Sequence, residues 1–229
     1  MQHLALIMDG NRRWAAQNGL AAVFHGHRKG AEALERVLKF CLERGIKYLS
    51  LYTFSLENLQ RSEEEKRYMF DLLVEMLAKK RHYFVEHGIR ISFVGDRTRF
   101  PSRVLSAVQD AEEATEHLST LQVMFLFCYG AQQELVYAAK RLAEQVVAGD
   151  LKVEDISEQT LRNACWMPSC PDPDLVIRTG GQTRLSNFLL YQVAYSELMF
   201  LDCYWPEITE EHLAQCEEKF VATQQNFGK

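Results

Sequence analysis

The sequence predicts an α/β fold, with a single domain whose six-stranded, mainly parallel sheet is flanked by helices. Two observations lead to this prediction. Short runs rich in apolar, β-branched and aromatic residues alternate with longer segments of helical periodicity. Most of the short runs are continuously apolar, which is typical of strands covered on both faces. The 229 residues suffice for one such domain and are few for two, so we expect residues 1–229 to form one domain.

Each predicted element rests on its own pattern. The candidate strands are residues 3–8, 47–55, 89–95, 121–129, 174–179 and 197–202, and the candidate helices are residues 28–44, 63–87, 131–148 and 209–225. The helix from residue 63 begins with the acids of "SEEE", which suit the positive N-terminal end of a helix. It then becomes apolar on more than one face, which leaves two interpretations open. It either packs between the sheet and a neighbouring element or lines an apolar ligand cavity.

Composition narrows the possible functions. Hydrophobic residues make up 47% of the chain and the formal net charge is −5, whereas a nucleic-acid-binding protein is expected to be basic. We therefore expect no nucleic-acid partner. No apolar run is long enough to predict a membrane span, and no C-x-x-C pair occurs among the six cysteines. A zinc site built on Cys165 and Cys170 has poor spacing, so we expect reduced thiols in a cytoplasmic protein.

Polar residues follow three of the predicted strands. In open parallel sheets, ligands bind beyond the carboxyl ends of the strands, so these groups are expected to meet at one edge. They comprise residues 9–13 after the first strand, Ser55, Glu57, Asn58 and Arg61 after the second, and Arg178, Arg184 and Ser186 around the Gly180–Gly181 turn after the fifth. Arginines, hydroxyls, amides and glycine-rich turns that open helices indicate a polyphosphate site.

Asp9 is the exception in this set because a carboxylate repels phosphate. A magnesium ion resolves the conflict, since Mg²⁺ often takes one or two carboxylates and fills its shell with phosphate oxygens and water. Each residue also has a simpler interpretation. Asp9 could cap the following helix, Gly180–Gly181 could be a turn only, Arg178 could pair with Asp174 or a surface acid, and His27 could be an ordinary surface histidine. The convergence of three strand ends favours a metal–diphosphate site.

Long, ordered motifs of this chain resemble those of the cis-prenyltransferases: "IMDGNRRWA", "GHRKG", "LYTFSLENLQR", "DLVIRTGGQTRLSNFLLYQ" and "YSEL…DCYWPEI". The similarity runs from His3 to the C-terminal "NFGK". It implies an apolar tunnel between helices and sheet, a homodimer, and Mg²⁺ as cofactor. The implied reaction condenses isopentenyl diphosphate units onto farnesyl diphosphate with cis double bonds. The implied product is undecaprenyl diphosphate, the precursor of the lipid carrier for cell-wall polysaccharide, with peripheral contact at the inner membrane face through that lipid.

The resemblance also implies residue roles. Asp9 resembles the aspartate that positions Mg²⁺ and the allylic diphosphate, Asn58 the proton acceptor, and Glu197 a metal-linked carboxylate that acts across the dimer interface. Leu121 matches a position near the closed end of the tunnel. The substrate-binding residues are then Gly10, Asn11, Arg12, Arg13, Trp14, His27, Ser55, Leu56, Glu57, Arg61, Arg178, Arg184, Leu185 and Ser186.

The chain departs from the family pattern at several positions. The stretch between Trp14 and His27 is one residue longer than usual, and Val23 stands where the family often has a diphosphate-binding arginine. Arg12 and Arg28 are the candidates to replace that contact. Two other functions therefore stay open: a non-catalytic partner subunit of the same fold, and a generic phosphate-binding α/β module. The enzyme is favoured because the chain retains the aspartate, the amide and the arginines together, namely Asp9, Asn58, Arg13, Arg178 and Arg184.

Overall fold

The computed structural model describes residues 1–167 and 169–223. In this part of the chain, six strands alternate with seven α-helices. The strands are β1 (His3–Ile7), β2 (Tyr48–Ser55), β3 (Ile89–Val94), β4 (Leu121–Tyr129), β5 (Leu175–Arg178) and β6 (Glu197–Phe200). The helices are α1 (Asn11–Gln17), α2 (Gly26–Glu43), α3 (Glu63–Glu86), α4 (Ser102–Thr115), α5 (Ala131–Ala148), α6 (Glu158–Ala164) and α7 (Glu210–Ala222).

The six strands form one sheet in the order β3-β4-β2-β1-β5-β6, and every neighbouring pair is parallel. This confirms the predicted α/β fold. From β1, the chain first adds strands on the β2 side and later adds β5 and β6 on the opposite side. The order therefore reverses at β1, and ligand crevices in such sheets open beyond the carboxyl ends of the strands at that point.

The continuous apolar runs of the strands contribute to two hydrophobic cores, because successive side chains of a strand point to opposite faces of the sheet. On one face, Leu4 and Leu6 of β1 join Phe125 and Phe127 of β4 beneath α2, α3, α4 and α7. On the other face, Ala5 and Ile7 pack with residues of the segment 185–193. Burial on both faces explains why the strand runs lack polar alternation.

The predicted helices correspond to α2, α3, α5 and α7, with small differences at their ends. α2 begins at Gly26, two residues before the predicted start, and α7 begins at Glu210. The predicted end of α7 at residue 225 lies outside the described residues, as does the terminal "NFGK" motif. α4 and α6 were not predicted. α1 and α6 have seven residues each, too few to show a clear helical period.

Candidate active site

A cavity of about 390 Å³ opens beyond the carboxyl ends of β1, β2 and β5. Its mouth is polar and its interior is apolar. The polar lining comprises Asp9, Asn11, His27, Thr53, Ser55, Asn58, Arg61, Arg178, Arg184 and Ser186. The apolar lining is formed by α2, α3 and β4, through residues that include Leu34, Met69, Leu72, Leu73, Met76, Phe125 and Phe127. α3 therefore lines an apolar cavity, and it also packs against β3 and α4, so both interpretations of its sequence pattern hold.

Asp9 is held by two arginines at the end of β1. Its Oδ2 accepts a hydrogen bond from Arg178 Nη2 at 2.8 Å, and its Oδ1 lies 3.1 Å from Arg13 Nη2. Burial opposes ionisation of Asp9, but the two arginines outweigh it and lower the pKa of the carboxyl. Asp9 does not cap the next helix, because Gly10 occupies the N-cap position of α1 with φ 105°. A Cβ there would lie 2.7 Å from Tyr204, so both conformation and space require glycine.

Arg178 is the most buried cation of the cavity, with a side chain that is 4% exposed. Besides Asp9, its guanidinium donates to Ser186 Oγ at 2.8 Å and to the Arg184 carbonyl. Its Nε has no hydrogen-bond partner. The alternative pairing with Asp174 is wrong, since that carboxylate accepts the backbone N–H groups of Gln2 and His3 instead. Arg178 thus lines the cavity with a guanidinium of which one buried donor has no protein partner.

A second charged group, which we call the Glu65 cluster, consists of Glu65, Arg12, His27 and Arg61. Glu65 Oε1 lies 2.9 Å from Arg61 Nη1, 3.8 Å from Arg12 Nε and 3.9 Å from His27 Nε2. His27 is not an ordinary surface histidine: burial lowers its pKa, and its Nε2 has no hydrogen-bond partner. Sequence reasoning missed Glu65 because all the acids of "SEEE" were assigned to the helix N-terminus. The i,i+4 spacing of Arg61 and Glu65 was the available signal.

The segment after β2 is a 3₁₀ turn, Leu56–Gln60, rather than an irregular loop. The backbone N–H of Ser55 donates to Asn58 Oδ1 at 3.3 Å, in a reciprocal cap with the Ser55 side chain. This fixes Asn58 at the cavity wall. Glu57 does not line the cavity and accepts a hydrogen bond from Asn187 Nδ2 at 2.9 Å, which joins the turn to the segment after β5.

The predicted site residues fall into two groups. Nine line the cavity: Asp9, Asn11, His27, Ser55, Asn58, Arg61, Arg178, Arg184 and Ser186. The remaining substrate-binding candidates do not line it: Gly10, Arg12, Arg13, Trp14, Leu56, Glu57 and Leu185. Of these, Arg13 donates to the Gly180 carbonyl at 2.7 Å, and Leu185 packs in the core on the far face of the sheet.

Of the two arginines considered as replacements near Val23, only Arg12 lies beside the cavity residues. Arg28 donates two hydrogen bonds of 2.9 Å to the Glu75 carboxylate, on the outer side of α2 and α3. Both terminal nitrogens of Arg28 are therefore already paired, and Glu75 raises its pKa. The Val23 side chain lies outside the described residues.

Glu197 and Leu121 lie away from the cavity. Glu197 begins β6, level with Leu4 across the sheet, whereas Asp9 comes five residues after Leu4. At about 3.3 Å per residue, the two carboxylates are separated by roughly 16 Å along the strands alone. Glu197 therefore does not reach the Asp9 site of its own chain. Leu121 is fully buried but does not line the cavity, which extends along β4 only as far as Phe125.

The donor set fits a magnesium ion that arrives with a diphosphate. Asp9 is the only carboxylate among the cavity-lining residues described, and it is 29% exposed. Across residues 1–167 and 169–223, no group of three or more His, Cys, Asp or Glu side chains is arranged to hold a metal by itself. Within this part of the chain, Cys165 and Cys170 belong to no such group. One accessible carboxylate beside several arginines suits a cation whose other ligands come from substrate phosphates and water.

Comparison with known proteins identifies the family. Residues 7–228 match the prenyltransferase family model described as undecaprenyl diphosphate synthase. The chain belongs to this family of cis-prenyltransferases. A relative from Pyrococcus horikoshii, tritrans,polycis-undecaprenyl-diphosphate synthase (geranylgeranyl-diphosphate specific), is 40% identical over 100% of this chain and 87% of its own length. The ditrans,polycis-undecaprenyl-diphosphate synthase ((2E,6E)-farnesyl-diphosphate specific) of Pseudomonas aeruginosa is 40% identical over 100% of this chain and 90% of its own length.

A solved structure supports the same assignment. The lavandulyl diphosphate synthase of Lavandula x intermedia, in complex with dimethylallyl diphosphate, superposes with a TM-score of 0.96. It is 29% identical and covers 100% of this chain and 98% of its own. This cis-prenyltransferase therefore shares the whole fold with a relative whose structure contains a prenyl diphosphate. No helix in the part of the chain described here is long and apolar enough to cross a membrane.

Proposed function

We propose that this cis-prenyltransferase elongates an allylic diphosphate with isopentenyl diphosphate to give a long-chain poly-cis prenyl diphosphate. One observation carries the proposal: a single cavity joins a mouth of arginines and one carboxylate to an apolar interior walled by α2, α3 and β4. That distribution matches a molecule with a diphosphate head and a prenyl tail. Neither a generic phosphate-binding module nor a non-catalytic partner subunit requires the combination.

The reaction forms a carbon–carbon bond between the isopentenyl alkene and the allylic C1, as the C1–O bond to diphosphate breaks and a proton leaves the isopentenyl unit. The residues meet the needs of this step. Arg61, His27 and the free N–H groups of the first turn of α1 face the leaving diphosphate. Arg178, Arg184 and Ser186 bind the second diphosphate, and we expect Asn58 to be near the departing proton. Fixing both substrates at attack distance supplies up to roughly 7–11 kcal/mol of the barrier.

Mg²⁺ would be held by Asp9 and by diphosphate oxygens, and it supplies charge neutralisation of the leaving group. In the free protein, both oxygens of Asp9 face arginines. When an anion arrives, Arg13 and Arg178 gain phosphate partners, and Asp9 becomes available to the cation. Glu197 would contribute only to the site of a partner subunit. A homodimer with shared sites, as the family resemblance implies, is part of this proposal.

Undecaprenyl diphosphate is the proposed product, and farnesyl diphosphate is the proposed primer. The relatives include proteins named for farnesyl and for geranylgeranyl primers, so both primers belong in the test. A cavity of about 150 Å³ holds benzene, which corresponds to about 25 Å³ per carbon atom. The present 390 Å³ therefore accommodates about 15 carbon atoms. A tail of undecaprenyl length needs more space than this, so we expect the cavity to enlarge as the tail extends.

The test is incubation of the purified protein with labelled isopentenyl diphosphate, Mg²⁺ and either farnesyl or geranylgeranyl diphosphate. Products are dephosphorylated and separated by chain length. Elongated polyprenols from one primer support the proposal and define the primer. Absence of any elongated product with both primers would refute the proposed activity.

A further inference from the structure

A buried carboxylate lies directly behind the cationic wall of the cavity. Glu65 is 5% exposed and lies on the first turn of α3, where its backbone N–H donates to the N-cap Ser62. Its Oε1 is close to three positively charged or chargeable groups of the Glu65 cluster. Arg61 and His27 line the cavity, whereas Glu65 and Arg12 do not. Any effect of Glu65 on a bound anion therefore passes through Arg61 and His27.

The geometry leaves donors unused on the cavity side. Among the described residues, the Arg61 side chain makes one hydrogen bond, from Nη1 to Glu65, and a guanidinium has five donors. The Nε2 of His27 is buried 3.9 Å from Glu65 Oε1 without a hydrogen bond, so Arg61 is the residue of the cluster that offers these donors. Glu65 thus holds the Arg61 guanidinium by one nitrogen and leaves the remaining donors free for a ligand.

Removal of the carboxylate would leave the two positive charges of Arg12 and Arg61 together, with no negative charge between them. Burial lowers the pKa of Arg61, and the nearby Arg12 lowers it further, while Glu65 acts in the opposite direction. A buried cation that loses its partner changes conformation or charge state rather than remaining in place. Arg61, with a side chain 24% exposed, can relieve the repulsion by swinging towards solvent.

We propose that Glu65 is a positioning residue for the allylic diphosphate: its buried carboxylate holds the Arg61 guanidinium at the cavity beside His27, so that the remaining donors of Arg61 are available to the bound anion. The proposal rests on the proposed function and assigns a role to a residue that touches no substrate itself. It separates Glu65 from its neighbours Glu63 and Glu64, which share the helix N-terminus but are exposed. Glu64 therefore provides a matched control on the same turn.

The experiment measures binding of inorganic pyrophosphate by calorimetry in the presence of EDTA, so that neither metal nor turnover contributes. The proteins are wild type, Glu65→Ala, Glu65→Gln and Glu64→Ala. Loss of a negative charge near an anion site strengthens anion binding by itself. Loss of positioning weakens it instead, by about tenfold if one charge-assisted hydrogen bond is misaligned. A lower Kd for pyrophosphate would therefore indicate the charge effect, and a higher Kd would indicate the loss of positioning.

We expect Glu65→Ala to raise the Kd about tenfold and Glu64→Ala to leave it within about twofold. Glu65→Gln keeps an acceptor oxygen for Arg61, so its Kd should fall between wild type and the alanine variant. If circular dichroism shows that Glu65→Ala is unfolded, the Kd of Glu65→Gln is compared with that of wild type instead. Pyrophosphate binding as tight as wild type, or tighter, in the folded variant would overturn the proposal.

Measurements on the same proteins distinguish a failure of this proposal from a failure of the proposed function. If wild type binds pyrophosphate but elongates no primer, the activity is wrong, and the comparison of Kd values still tests Glu65. If wild type elongates, the positioning role also predicts that Glu65→Gln raises the KM for the allylic primer more than it lowers kcat. Equal KM values for the two proteins would contradict that role.

Discussion

Phe125→Ala is expected to lengthen the product. The cavity passes between α3 and the sheet and extends along β4 through Phe127 to Phe125. Leu121 and Val123 continue the same face of β4 but are fully buried and do not line the cavity. The Phe125 side chain, 1% exposed and stacked on Phe93 with a centroid distance of 5.1 Å, therefore closes the end of the cavity.

The size of the change in product length follows from the volume of the side chain that is removed. Removal of the phenyl ring opens about 150 Å³, the space that one benzene occupies in an engineered cavity. At about 25 Å³ per carbon atom, this accommodates about one further isoprene unit. The substitution also costs about 3–5 kcal/mol of stability, as large-to-small changes of a buried phenylalanine do. Phe84 of α3 is 1% exposed and lies in the same core without lining the cavity, so Phe84→Ala controls for that loss.

The assay compares polyprenol lengths from wild type, Phe125→Ala and Phe84→Ala at equal substrate ratios, after a melting curve has established that each variant is folded. The product distribution of Phe125→Ala should shift upwards by about one isoprene unit, while Phe84→Ala should keep the wild-type distribution. If folded Phe125→Ala gave unchanged product lengths, then Phe125 would not be the end of the tail-binding space.

Asp9→Asn should lower kcat at least about 100-fold, measured at saturating Mg²⁺, because it removes the carboxylate that would hold Mg²⁺ beside the developing diphosphate charge; activity near wild type would contradict the metal role. Arg12→Ala should raise the KM for the allylic primer, whereas Arg28→Ala, whose partner lies outside the cavity, should leave it within about twofold. Burial lowers the pKa of His3 to about 4, below the unfolded value of 6.5, so the unfolded chain binds more protons between these values. Stability should therefore fall by about 2 kcal/mol as the pH falls from about 7 to about 5. In urea titrations, His3→Asn should lose this contribution, and the exposed His82→Asn should retain it.

Much of the fold could be predicted because each strand is buried on both faces, and that burial appears in the sequence as continuous apolar runs. β1 to β6 lie within the predicted runs for this reason. α4 was not recognised although its buried residues Val104, Val108, Ala111 and Thr115 have helical spacing, and three of these four are β-branched residues of low helix propensity. The convergence of Asp9, Arg61 and Arg178 could be predicted because carboxyl ends of parallel strands share one edge.

The two carboxylates of the site show where sequence reasoning ends. Asp9 lines the cavity with a side chain 29% exposed, so it can exchange an arginine for a cation. Glu65 also pairs with an arginine, but its side chain is 6% exposed and does not reach the cavity, so it can only orient what does. The sequence presents the first as an isolated strand-end acid and the second as one of three consecutive acids. Only burial and the direction of each oxygen distinguish a residue suited to bind metal from one suited to hold an arginine in place.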